Sequence, residues 1–199
     1  KVRSMYEELA TNMVLELENG EVMDAKNRGV LRMRLLQLTG GYTTSGEMLH
    51  HEKLDSAVDF LSDLCEQDQS VVVYTRYLPE VAALYDSLSR LPFHHVFRIQ
   101  GGGRGDDRTV ARHTFQKEGR KRPLAIVAQS EALQMGVELS AAAEVVFYSL
   151  PDAWDSFWQN LLRVGGPNQD RPVRVTSILG RGTMDPGVLE ALRRKRDWH

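Results

Sequence analysis

With 199 residues, 42% of them hydrophobic, the chain is long enough for one core that buries roughly 70% of its unfolded surface. A formal net charge of −2 and an isoelectric point near 6.3 exclude a global positive field, so any nucleic-acid contact must come from local clusters such as Arg120 to Arg122 or Arg193 to Arg196. One cysteine, Cys65, excludes an intramolecular disulfide, and no stretch approaches the ~18 apolar residues of a membrane span.

Val2 to Ala10 predicts a helix. VLELENGEV then alternates apolar and polar residues around Asn19-Gly20, a strong hairpin signal. Ala25 to Leu38 is amphipathic and stops at Gly40-Gly41, a helix with a glycine exit. Past Gly46 a repeating unit begins: a helix over 52–66, the buried strand VVVYT (Val71 to Thr75), a helix over 79–90 and a strand over 95–99. A glycine-rich loop leads to a helix over 107–117, a strand over 124–128 and a loop through Gly136. A strand over 144–149, a helix over 154–163, a strand over 173–179 and a helix over 186–197 complete the pattern. Short apolar strands alternating with helices predict an α/β fold, a doubly wound parallel sheet covered on both faces, with ligands at the strands' carboxyl ends. The expected division is a helix-hairpin-helix extension over 1–46 and the α/β body over 47–199.

Three places carry chemistry. Thr75 and Arg76 follow three valines at a strand's carboxyl end, where a hydroxyl and a guanidinium suit phosphate oxygens; the alternative is a solvated strand end. Gly101, Gly102 and Gly103 let backbone amides approach a phosphate, but no Lys-Ser or Lys-Thr pair follows, and a turn into the next helix is the simpler reading. Gln159 and Arg163 are four apart and project from one helical face. Trp154 and Trp158, one turn apart on that helix, are expected to pack in the core. Gly165-Gly166-Pro167 reads as its stop. The pairs His50-His51 and His94-His95 have no partner at ligand spacing, so no metal site is expected.

From about Leu31 onward the chain resembles the second RecA-like lobe of Swi/Snf-type DNA translocases in helicase superfamily two, with bacterial and phage members the expected nearest kin. The ordered segments are LLQLTGGY with Lys53-Leu54-Asp55, VVVYTRY, RIQGGGRGDDR with Phe115-Gln116, VAQSEALQMGVELSAA, the Gln159/Arg163 helix and GTMDPGVLEALRRKR. The resemblance implies half of an ATP-driven machine whose first lobe carries the phosphate-cradling loop and the magnesium ligand; GxxxxGK followed by Ser or Thr occurs nowhere here. It implies ATP and magnesium as cofactors of a two-lobed parent, none for the chain alone, with DNA, double-stranded and read without sequence preference, and the first lobe as partners. Lys1 in place of an initiator Met fits a piece of a longer, cytoplasmic protein of a bacterial or phage-infected cell.

Residue by residue, the resemblance places Gly136, Glu138, Gln159 and Arg163 at the nucleotide, with Arg163 catalytic, and Thr75, Arg76, Gly101 and Arg108 at DNA. Three departures stand out. Glu138 replaces an Asp or Asn, Leu133 and Gln134 replace a glycine pair, and Gly166 stands where the family carries a second arginine. The lost second arginine implies impaired hydrolysis, unless Arg171 or Arg181 supplies the charge. A helicase-derived DNA- or protein-binding module without hydrolysis is the alternative function.

Overall fold

The computed structural model describes residues 2–102, 105–133 and 138–196. The chain opens with α1 (Val2–Asn12), a hairpin of β1 (Val14–Glu16) and β2 (Val22–Asp24), and α2 (Arg28–Gly40). The Asn27 side chain accepts from the Gly29 and Val30 amides and starts α2, which ends where Gly41 turns left-handed at φ +97°. A Cβ on Gly41 would also lie 2.5 Å from the His50 carbonyl oxygen, so only glycine fits there.

The body follows as α3 (Glu52–Glu66), β3 (Val71–Thr75), α4 (Leu78–Leu88), β4 (His95–Ile99), α5 (Gly105–Glu118) and β5 (Leu124–Gln129). It ends with β6 (Glu144–Phe147), α6 (Trp154–Val164), β7 (Arg174–Ser177) and α7 (Asp185–Arg196). The five body strands are all parallel and run β4-β5-β3-β6-β7. This is the α/β, doubly wound parallel arrangement expected from the alternating pattern, and it agrees with the RecA-like lobe that the resemblance implies.

Alternation along the strands sorts the core. Val71, Val73, Ala125, Val127, Val146 and Tyr148 face α3 and α4, through Leu61, Leu64, Leu84 and Leu88. Val72, Tyr74, Ile126, Ala128, Val145 and Phe147 face the other side, where Phe115 of α5, Phe157 of α6 and Leu192 of α7 cover them. Both faces of β3 are therefore apolar, as a central parallel strand requires. A third cluster holds the N-terminal segment together: Leu9, Leu15, Leu17, Met23, Leu35 and Leu38. Helix α2 is shared, because Leu36 joins the sheet core while Leu35 and Leu38 join the N-terminal one.

The chain leaves β3 toward β4 on one side and β6 toward β7 on the other, so the carboxyl ends of β3 and β6 flank the switch point where doubly wound sheets open a crevice. Buried polar groups gather there. Lys53 meets Asp185 at 2.7 Å, with both side chains buried, and the Tyr148 hydroxyl donates to the Gly40 carbonyl at 2.9 Å.

Candidate functional site

Two groups of residues singled out in the sequence lie in two different places. The first is at the exits of β3, β4 and β5. The Arg76 amide donates to the Ser149 hydroxyl at 2.6 Å, and the same hydroxyl donates to Glu80 at 2.5 Å. Its guanidinium pairs with Asp152 and lies 5.4 Å from the centre of the Tyr77 ring. Asp152 also takes a 2.7 Å bond from Arg32 of α2. Gln129, the last residue of β5, accepts from the Gly101 amide at 3.1 Å and donates to the Arg76 carbonyl at 3.4 Å, tying two loop exits together. Arg108 donates to the Gln100 carbonyl at 3.1 Å. Arg76, Gly101 and Arg108 are thus brought to one end of the sheet. Thr75 is enclosed: its side chain is 0% exposed and its hydroxyl has no hydrogen-bond partner. Its carbonyl holds the Ser130 amide at 2.8 Å, so the residue shapes the loop from below.

Glu80 anchors this end. Burial pushes its carboxyl above the usual 4.5, against the pull of Lys53, the Ser149 hydroxyl and the amides of Tyr77 and Arg76. The folded protein then holds this proton more tightly than the unfolded chain. The associated stability is complete below the ordinary value and is lost as pH rises through the raised folded value. Glu80→Gln, uncharged throughout, should flatten that decline in thermal midpoint; an identical slope in the two proteins would count against it. The carboxyls lowered in the fold, Glu21, Glu138 and Asp170, act in the separate window below their ordinary values.

The second group surrounds the carboxyl end of α6, beside the amino ends of β6 and β7. The Leu139 amide donates to the Arg163 carbonyl at 2.7 Å. Gln169 donates to the carbonyls of Ser140 at 3.2 Å, Ala142 at 2.5 Å and Val164 at 3.1 Å, and Arg171 donates to Ala141 at 2.6 Å. Glu138 accepts from Asn168 at 2.6 Å and Ser140 at 2.9 Å, bonds that hold its carboxyl below the usual range. The Arg163 side chain is half-buried and close enough to the Tyr74 phenol to oppose the upward push of burial on it. Gln159 lies exposed on the same helix. Gly136 and Gln134 lie outside the described residues.

One expectation changes. Trp158 is 47% exposed and stacks on Trp154 at 5.9 Å, while the adjacent Phe157 takes the inward position against Phe147 at 4.7 Å. Leu133, which stands at one position of the family's glycine pair, is buried in the sheet core. The helix stops where Gly165-Gly166-Pro167 predicts, at Val164, but without a left-handed turn: Gly165 has φ −89° and Gly166 has no positive φ.

Chemically, the first group offers guanidinia and backbone amides to an anion, and the second offers one guanidinium to a phosphate presented from outside. Nothing in the described chain repeats the lysine-bearing glycine loop that cradles a triphosphate, and among the described residues no cluster of His, Cys, Asp or Glu is arranged to hold a metal ion. Among the described residues these groups do not form a complete nucleotide site. Sequence reasoning missed Asp152, Gln129, Glu80 and Arg32. Of these only Gln129 had a visible signal, a polar residue closing the apolar run LAIVA.

No family model matches the chain. It is 25% identical over 187 residues to the SWI/SNF-related matrix-associated actin-dependent regulator of chromatin subfamily A-like protein 1 of Drosophila melanogaster, covering 94% of this chain and 23% of that protein. Over 169 residues it is 26% identical to the chromatin-remodeling ATPase INO80 of Debaryomyces hansenii, covering 82% and 11%. Its homologues are Swi/Snf-family ATPases and helicases. The uncharacterized ATP-dependent helicase MG018 of Mycoplasma genitalium is 19% identical over 199 residues, covering 98% and 19%. Among solved structures, the C-terminal part of the Fun30 ATPase domain matches with a TM-score of 0.61 at 17% identity, over 95% of this chain and 63% of that one, which shows the shared fold. The chain spans less than a quarter of these curated relatives. Fly, yeast and bacterial proteins stand together among them, so the expected kinship with bacterial or phage members in particular is not supported.

Proposed function

We propose that the chain is the C-terminal lobe of an ATP-dependent DNA translocase of Swi/Snf type, working with a first RecA-like lobe that binds ATP and magnesium. The observation that carries this reading is the separation of two surfaces on one lobe: Arg76, Gly101 and Arg108 at the strand exits, and Arg163 at the end of α6, braced through Leu139. In this reading the strand exits hold backbone phosphates, with Thr75 shaping the loop. Glu138, Gln159 and Arg163 face nucleotide, and Gly136, outside the described residues, keeps the nucleotide role that the resemblance implies. When bound, ATP supplies the free energy of phosphoryl transfer, and the Arg163 guanidinium offsets charge on the transferred phosphoryl group. Residues 1–46 serve as an accessory that seats α2 against the body.

A second reading, a binding module without hydrolysis, is favoured by Gly166 at the second arginine position and by Arg171, whose guanidinium already braces the Ala141 carbonyl. Both readings share the DNA surface. The chain should bind unrelated duplexes with equal, weak affinity that falls steeply with salt, and Arg76→Ala should weaken all of them alike. Tight binding that discriminates between sequences or survives high salt, read by fluorescence anisotropy, would contradict that surface.

A further inference from the structure

Asp152 is a single half-exposed carboxylate gripped from two sides by guanidinia from distant parts of the chain, Arg32 on α2 and Arg76 at the exit of β3. Its neighbours leave it little other work. Glu80, not Asp152, holds the Arg76 and Tyr77 amides, at 3.2 and 3.1 Å. The Arg76 guanidinium is also not saturated, since its Nη1 is enclosed without an acceptor, as is the Nε of Arg108 on the same end of the sheet. A carboxylate and a phosphodiester each carry one negative charge and present paired oxygens to a guanidinium fork, so one can stand where the other binds.

We propose that Arg32 and Arg76 form a site for a backbone phosphate of nucleic acid, in which Asp152 occupies the anion's place in the free protein. The site deepens the DNA surface proposed above and rests on it. It adds the N-terminal extension to that surface, through Arg32, and makes Asp152 a built-in competitor. Binding exchanges one anion for another: Asp152 swings into solvent and the phosphate takes its bonds. The exchange costs part of the attraction, which contributes to weak binding by a lobe that presents several arginines.

The test uses the 199-residue chain and a short fluorescent duplex of mixed sequence, with anisotropy measured across a salt series. Asp152→Asn should tighten binding roughly threefold or more and steepen the salt dependence, because a competing charge is removed. Arg32→Ala should weaken binding and lower the salt slope by about one, while Arg32→Lys retains most of it. Asp152→Ser, with thermal midpoints for every variant, separates loss of the charge from loss of the fold. If Arg76→Ala weakens binding but both Asp152 variants are neutral or weaker than the parent, the competitor is overturned and the DNA surface stands. If Arg76→Ala and Arg108→Ala both leave binding unchanged, the surface itself falls, and this site with it.

Discussion

Replacing Lys53 by methionine is expected to destabilise the protein by about 3–5 kcal/mol, the scale for stranding one partner of a buried ion pair. Lys53 and Asp185 meet at 2.7 Å with both side chains almost wholly out of water, and the pair joins the first turn of α3 to the first turn of α7. Asp185 cannot relax toward solvent once Lys53 is gone, because it also accepts the Gly180 amide at 2.9 Å. The ammonium further lies 5.2 Å from the Tyr148 ring centre and opposes the upward shift of the Glu80 carboxyl, so its loss should raise Glu80 further. The double change Lys53→Met with Asp185→Leu should be milder than Lys53→Met alone, since replacing a buried pair by apolar residues is often neutral. Denaturant unfolding of the three proteins decides it. A single variant within about 1 kcal/mol of the parent would show that the pair is not needed.

The second large effect concerns turnover in a two-lobed protein. Arg163→Ala is expected to lower kcat by a factor of ~10³ or more, the scale for losing an arginine that meets transition-state charge. Gly166→Arg is expected to raise kcat more than it changes KM, by placing a second guanidinium three residues along. The backbone allows this substitution. Gly166 has no positive φ, so the strain of roughly 1 kcal/mol that a left-handed glycine would impose is absent. A Cβ there would sit 3.1 Å from the Leu162 carbonyl oxygen, a tight contact that the helix end must ease by a small shift. Arg171 is tied to the Ala141 carbonyl at 2.6 Å, so Arg171→Ala should cost stability before it costs turnover. A folded Gly166→Arg protein with unchanged kcat would remove the lost-arginine hypothesis.

The central strands are legible because burial on both faces leaves a short apolar run, as in VVVYT, whereas the edge strand HVFRI keeps exposed polar positions. VVVYT and HVFRI were placed at their observed bounds, and so was the helix Glu52–Glu66. Ends were less legible where a capping interaction sets them: α2 begins at Arg28, later than its apolar pattern, because Asn27 caps it. The candidate site was legible only in part. Ordered motifs single out Arg76, Gly101, Arg108 and Arg163 as candidates, but sequence spacing carries no information about what a side chain meets across the fold. Asp152 is separated by 120 residues from Arg32 and by 76 from Arg76, and only folding makes the three one cluster. Trp158 differs for a related reason: its spacing from Trp154 fits an apolar stripe, yet it is Phe157 that packs inward against Phe147.

The central claim, that this lobe completes an ATPase through Arg163 and has no turnover by itself, is tested most directly by phosphate release with and without duplex DNA. The measurement compares the isolated chain, the two-lobed protein and its Arg163→Ala variant. The account predicts no release above background from the isolated chain, DNA-stimulated release from the two-lobed protein, and loss of that stimulated release in Arg163→Ala. DNA-stimulated turnover by the isolated chain, or full activity in the Arg163→Ala protein, would contradict it.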